Sequence, residues 1–160
     1  MIKRILPLIS LWGLLACTPN SRVEINLIDL VPQNTILVAQ INDSISLKSS
    51  TELSKLFSLN GDLKRTVQNI IPKNTPTPQL LFFSPVGKNE NAVSLIVKGS
   101  PEDSLLVYQR TLKYGKQTIG VLNRDDQTFY TTDLGQLRIW SQSQLVIENG
   151  IRNFEKGQRG

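Results

Sequence analysis

Cys17 is the only thiol in the chain, and there is no histidine at all. Those two facts bound the chemistry before any fold is considered. A Ser-His-Asp triad, a Cys-His pair and a His-ligated zinc are excluded. A lone cysteine has no partner in its own chain, so no intrachain disulfide forms and stability rests on core packing. The setting of this cysteine says more than its number. Lys3 and Arg4 supply a short positive region, and Ile5–Ala16 follows as an apolar stretch. A membrane-spanning helix needs about 20 apolar residues, so this one is too short, and Thr18-Pro19-Asn20-Ser21-Arg22 does not extend it.

Leu14-Leu15-Ala16-Cys17 resembles the bacterial lipobox: an aliphatic residue, a tolerant position, a small residue, then cysteine. The resemblance implies that the thiol of Cys17 receives a diacylglyceryl group, that the peptide is cut before it, and that the new amino terminus is acylated. Each buried methylene contributes about 0.8 kcal/mol, so two or three acyl chains hold stably where one does not. An ordinary secretory signal with Cys17 near its cleavage point is the plainer alternative. On the lipobox reading, residues 1–16 are a signal peptide, 17–22 a polar tether, and 23–160 a single domain or the first module of a longer protein.

Other clusters are weaker. Gly115-Lys116-Gln117-Thr118 has the look of the end of a phosphate-binding loop, but Gln117 stands where Ser or Thr is required and no helix is expected after it; a hairpin turn fits better. Asp125-Asp126 with Asp133 lacks the alternating oxygen ligands of a calcium loop, and Arg124 would repel the ion. Distant carboxylates brought together by folding would suit glycoside hydrolysis, yet nothing in the sequence selects a pair. No catalytic residue, metal ligand or cofactor site is therefore expected. Asp43-Ser44-Ile45 and Asp103-Ser104-Leu105 resemble the Asp-Ser/Thr-aliphatic sequon for O-glycosylation of exported Bacteroidota proteins, which makes Ser44 and Ser104 candidate modification sites.

The elements that would position these residues can be read from periodicity. Ile25, Leu27, Ile28, Leu30 and Val31 give a short helical turn or extended entry that Pro32 ends. Thr35–Ile41 reads as a buried strand. Ser49…Glu52 has capping-box spacing ahead of Leu53, Leu56 and Phe57, and a second helix carries the stripe Leu63, Val67, Ile70 and Ile71. Leu80–Val86 and Ala92–Lys98 flank Gly87–Asn91 as a hairpin. Ser100-Pro101-Glu102-Asp103 opens a short helix at Leu105–Val107. Strands are expected at Thr111–Tyr114, Thr118–Leu122, Thr128–Thr132 and Leu137–Trp140. Ser141 or Ser143 then caps a last helix bearing Leu145, Ile147, Ile151 and Phe154, in which Gly150 costs about 1 kcal/mol against alanine.

This order predicts an α+β domain: an antiparallel sheet, a meander in its second half, with helices packed on one face. Phe82-Phe83, Tyr108, Tyr114, Phe129, Tyr130 and Trp140 fall on or beside strands, where aromatic side chains serve packing or a contact platform. Two segments are similar to a group of large Bacteroidota lipoproteins of unknown function. Pro32–Asp43 resembles their opening after the lipobox, and Ile139–Ile151 resembles a recurrent helix. That resemblance implies an N-terminal module of a longer lipoprotein and no particular activity.

The formal charge of +5 includes Lys3 and Arg4 of the leader, leaving +3, and the remaining cations are scattered. A nucleic-acid partner is not expected. The sequence points instead to a non-enzymatic structural or protein-interaction module anchored to the membrane through acylated Cys17. Thr18-Pro19-Asn20-Ser21 lacks the acidic cluster that resembles a surface-export signal, which favours the periplasmic face of the outer membrane. An envelope protein is the expected partner. The alternative is a binding module for periplasmic glycan or peptidoglycan fragments.

Overall fold

A computed structural model describes residues 26–42, 54–55, 58, 61–71, 79–99 and 108–158. Cys17, Ser44, Ser104, the expected capping box at Ser49 and the expected helix at Leu105–Val107 lie outside them. Within them run a 3-10 turn (Leu27–Leu30), β1 (Leu37–Ile41), α1 (Gly61–Ile70), β2 (Gln79–Pro85), β3 (Asn91–Lys98), β4 (Tyr108–Tyr114), β5 (Gln117–Arg124), β6 (Gln127–Leu134), β7 (Leu137–Ser141) and α2 (Gln144–Gly157).

The seven strands form one antiparallel sheet in the order β1-β2-β3-β7-β6-β5-β4. It consists of two meanders, β1 to β3 and β4 to β7, joined where β7 pairs with β3. Leu95 lies opposite Trp140 and Ile96 opposite Ile139 at this seam. The chain thus leaves β3 at the middle of the sheet and re-enters at its far edge.

Three two-residue turns close the second meander. Gly115 (φ 57°) and Gly135 (φ 64°) occupy the first position of theirs, where a positive φ suits the twist of the flanking strands. The middle turn is built from Asp125 (φ 46°) and Asp126 (φ 63°), two non-glycine residues in the left-handed region. Aspartate tolerates this better than most residues, at some cost.

Alternation along the strands sorts the core into two clusters on opposite faces. Leu80, Phe82, Ala92, Ile96, Ile119, Leu134, Leu137 and Ile139 point to one face, where α2 covers them with Val146, Ile147, Ile151 and Phe154. Leu81, Phe83, Val93, Leu95, Val97, Leu122, Phe129 and Trp140 point to the other, where α1 supplies Val67 and Ile70. Burying each such side chain contributes about 1.5–3 kcal/mol. The α+β class, the antiparallel sheet and the meander agree with the expectation from sequence. The expected placement of helices on one face does not: α1 and α2 cover opposite faces, because β2 and β3 are apolar on both and need cover on both.

Gly150 brings α2 close to the sheet. A Cβ built there would stand 2.6 Å from Ile139 Cδ1, with the Leu30 carbonyl oxygen 3.9 Å away. The 3-10 turn packs against the same helix. It is held by a capping box in which Asn26 Oδ1 accepts from Ile28 N (3.5 Å) and Asp29 Oδ2 accepts from Asn26 N (3.3 Å).

α1 is fixed to the opposite face by polar contacts at one end of the sheet. Gln127 Nε2 donates to Thr66 Oγ1 (2.8 Å), Asn69 Nδ2 donates to Gln127 Oε1 (3.0 Å), and Arg124 Nη1 donates to the Asn69 carbonyl (2.9 Å). Arg65 Nη2 reaches the Asp125 carbonyl at 3.1 Å, tying the helix to the strained turn.

Candidate functional site

The second meander carries a group of polar residues on the face that α1 covers elsewhere. Thr111, Gly120 and Thr131 lie side by side on β4, β5 and β6, and the next row holds Thr118 and Asp133. Gly120 has no side chain, so the surface dips between its two threonine neighbours. The resulting depression, about 240 Å³, is lined by these residues with Thr132 and Arg138. Its hydroxyls are partly committed: Thr131 Oγ1 donates to the Ile139 carbonyl (2.9 Å) and Thr132 Oγ1 to the Thr118 carbonyl (3.0 Å).

Asp133 and Arg138 face each other across the β6–β7 turn in direct register. Arg138 Nε donates to Asp133 Oδ1 (2.6 Å) and Nη2 to Oδ2 (2.8 Å), a bidentate pair. Both carboxylate oxygens are engaged, which leaves Asp133 poorly disposed to act as a general base or to ligate a cation. The sequence held this contact in plain view, since residues at this spacing about a two-residue hairpin turn are obligatory cross-strand partners.

A second depression, about 200 Å³, lies beside the N-terminal turn of α2, between Pro32, Asn34, Pro85, Val86 and Leu145. Leu145 is 56% exposed there. Asn34 Nδ2 donates to the Pro85 carbonyl (3.3 Å), and Thr35 Oγ1 and Ser84 Oγ share a 2.8 Å hydrogen bond.

The remaining sequence candidates resolve into structure. Gly115-Lys116 is a hairpin turn between β4 and β5, as expected. Asp125-Asp126 is the next turn, and Asp133 is held by Arg138 rather than gathered with them. Among the described residues, no group of acidic or cysteine side chains is placed to hold a metal ion. Phe82, Phe83, Phe129 and Trp140 are buried within the two clusters and offer no platform, while Tyr114 and Tyr130 are half-buried against the α2 side. The expected modification sites Cys17, Ser44 and Ser104 lie outside the described residues.

The two edges of the sheet differ in character. β4 carries Arg110 and Lys113 and has a register shift between Tyr108 and Arg110. β1 carries no charge, and neither does any residue from Val31 to Asn42. Ile36 and Val38 on and beside β1 are 67% and 42% exposed.

Comparison of the chain with models of protein families, with curated proteins and with solved structures yields no match.

Proposed function

We propose that the protein is a lipid-anchored, non-enzymatic interaction module of the cell envelope, held at the periplasmic face of the outer membrane by acylated Cys17. The observation that carries this reading is the Met1–Cys17 run, in which a positive start, a short apolar stretch and a small residue precede the only cysteine. Few residues separate Cys17 from the capped turn at Asn26, so the anchor holds the domain close to the bilayer. Support for a non-enzymatic role comes from the composition, which has no histidine and one cysteine, and from the closed Asp133–Arg138 pair in the larger depression. The uncharged β1 edge supports a role in protein contact.

Replacing the thiol tests the anchor. Cys17→Ser should abolish acyl labelling and release the protein from membranes, and unchanged membrane retention would overturn the reading.

The threonine-lined depression favours one second reading, the binding of a glycan or peptidoglycan fragment through hydroxyl contacts. Such a ligand would raise the thermal transition of the purified protein in a cell-wall glycan panel. A flat panel removes this reading and leaves the first intact.

A further inference from the structure

We infer that β1 is a self-association edge, through which two copies of this chain join antiparallel about a two-fold axis at Ala39 to make one continuous sheet. The inference rests on the reading of the protein as an interaction module and names its partner.

The first observation is the asymmetry of the two edges. An exposed strand edge presents unpaired N–H and C=O groups, and monomeric proteins blunt such edges with charge, proline or bulges. β4 is blunted in this way by Arg110, Lys113 and the irregularity between Tyr108 and Arg110. β1, Leu-Val-Ala-Gln-Ile, has none of these devices. On its inner side it pairs with β2 in unbroken register from Leu37 to Ile41. Among the described residues, nothing pairs with its outer side.

The second observation is that β1 complements itself. Antiparallel pairing about Ala39 sets Leu37 opposite Ile41 and Val38 opposite Gln40 of the second copy, with the smallest side chain on the axis. A two-fold axis perpendicular to the sheet keeps each face continuous. Leu37 and Ala39 already pack against the cluster under α1, so their counterparts would extend that core across the seam. Exposed Val38 would gain a neighbour on the other face.

Charge selects the occupant. The chain is cationic overall, and two copies that pair through an uncharged segment set no like charges opposite each other. Val31–Asn42 is such a segment. An acidic partner would instead be drawn to a cationic surface, which β4 offers and β1 does not. A five-residue strand pair is a small interface, but confinement to a membrane raises the effective concentration of the copies.

The test is cysteine cross-linking of the full chain in its membrane. Ala39→Cys places two thiols directly opposite each other, at a Cα separation of about 4.5–5.5 Å that suits a disulfide. Mild oxidation with copper phenanthroline should yield a product of twice the mass. Val38→Cys and Gln40→Cys on separately tagged chains should cross-link to each other, which checks the register. Adding Val38→Lys to the Ala39→Cys chain should abolish the product, since the side chain is exposed and the fold tolerates it. No dimer above the unsubstituted chain, an equal yield from Gln109→Cys on β4, or a product of another mass would each overturn the inference. Membrane release by Cys17→Ser reads the anchor separately, so either proposal can fail without the other.

Discussion

Gly150 on α2 and Ile139 on β7 are mutually exclusive claimants for the same space: a Cβ at position 150 would lie 2.6 Å from Ile139 Cδ1. Both residues are buried. In an exposed helix, Gly→Ala gains about 1 kcal/mol from propensity. Here overpacking costs about 1–3 kcal/mol, because Ile139 is buried in the cluster under α2 and has little room to turn aside. Gly150→Ala should therefore lower stability in urea denaturation. Removing the offending methyl with Ile139→Val should restore part of the loss, so the double variant is more stable than the two single changes added together.

The Asp125-Asp126 turn has room for improvement. Both residues sit at positive φ, where Asn-Gly is the preferred pair for a two-residue hairpin. The tie from Arg65 to this turn uses the Asp125 carbonyl and survives a change of side chain. The double replacement Asp125→Asn with Asp126→Gly should stabilise the protein by about 1 kcal/mol. A lower melting temperature would show that the carboxylates have a role beyond the turn.

Much of this architecture was legible in the sequence. The second meander was readable because turn residues stand at Gly115-Lys116, Arg124-Asp125-Asp126 and Asp133-Leu134-Gly135, although the last turn falls at Gly135-Gln136, with Asp133 and Leu134 inside β6. The helix stripe at Leu63, Val67 and Ile70 found the core as its spacing requires. What failed was the layer count, although its signal was present. Leu80-Leu81-Phe82-Phe83 and Ala92–Val97 are nearly continuous apolar runs, the pattern of strands covered on both faces. One-sided cover would have made them alternate, as Leu112-Lys113-Tyr114 does at the end of β4. The seam between β3 and β7 could not be read, since no local feature states which of seven strands will neighbour which. Gly150 read as a defect of α2 because its reason lies on another element, at Ile139. For function, the lipobox-like residues of the proposed anchor stand together at Leu14–Cys17, whereas the candidate edge at β1 became visible only once the sheet order set it at the margin.

The Asp133–Arg138 pair is better connected on one side than on the other. The arginine side chain is 12% exposed and the carboxylate 57%. Cross-strand ion pairs contribute about 0.2–1 kcal/mol. A double-mutant cycle with alanine at both positions should give a coupling in that range, weakening as salt is raised. Arg138→Ala should cost more than Asp133→Ala, because it also removes a packed aliphatic stem. Equal costs would mean that the stem contributes nothing.

Trp140 is one of two tryptophans, the other being Trp12. Its side chain is 2% exposed, and its Nε1 has no hydrogen-bond partner among the described residues. An unsatisfied buried donor carries a desolvation penalty of about 1–3 kcal/mol. Trp140→Phe removes that donor and keeps a ring against Leu95 and the α1 cluster, at the expense of a small void. The two effects oppose each other, so stability should change by less than about 1 kcal/mol. Trp140→Ala keeps no ring and should cost about 3–5 kcal/mol. Equilibrium unfolding followed by circular dichroism compares the two, since both variants lose the Trp140 fluorescence. A Trp140→Phe variant as damaged as Trp140→Ala would mean that the indole N–H is satisfied in solution, for instance by a bound water.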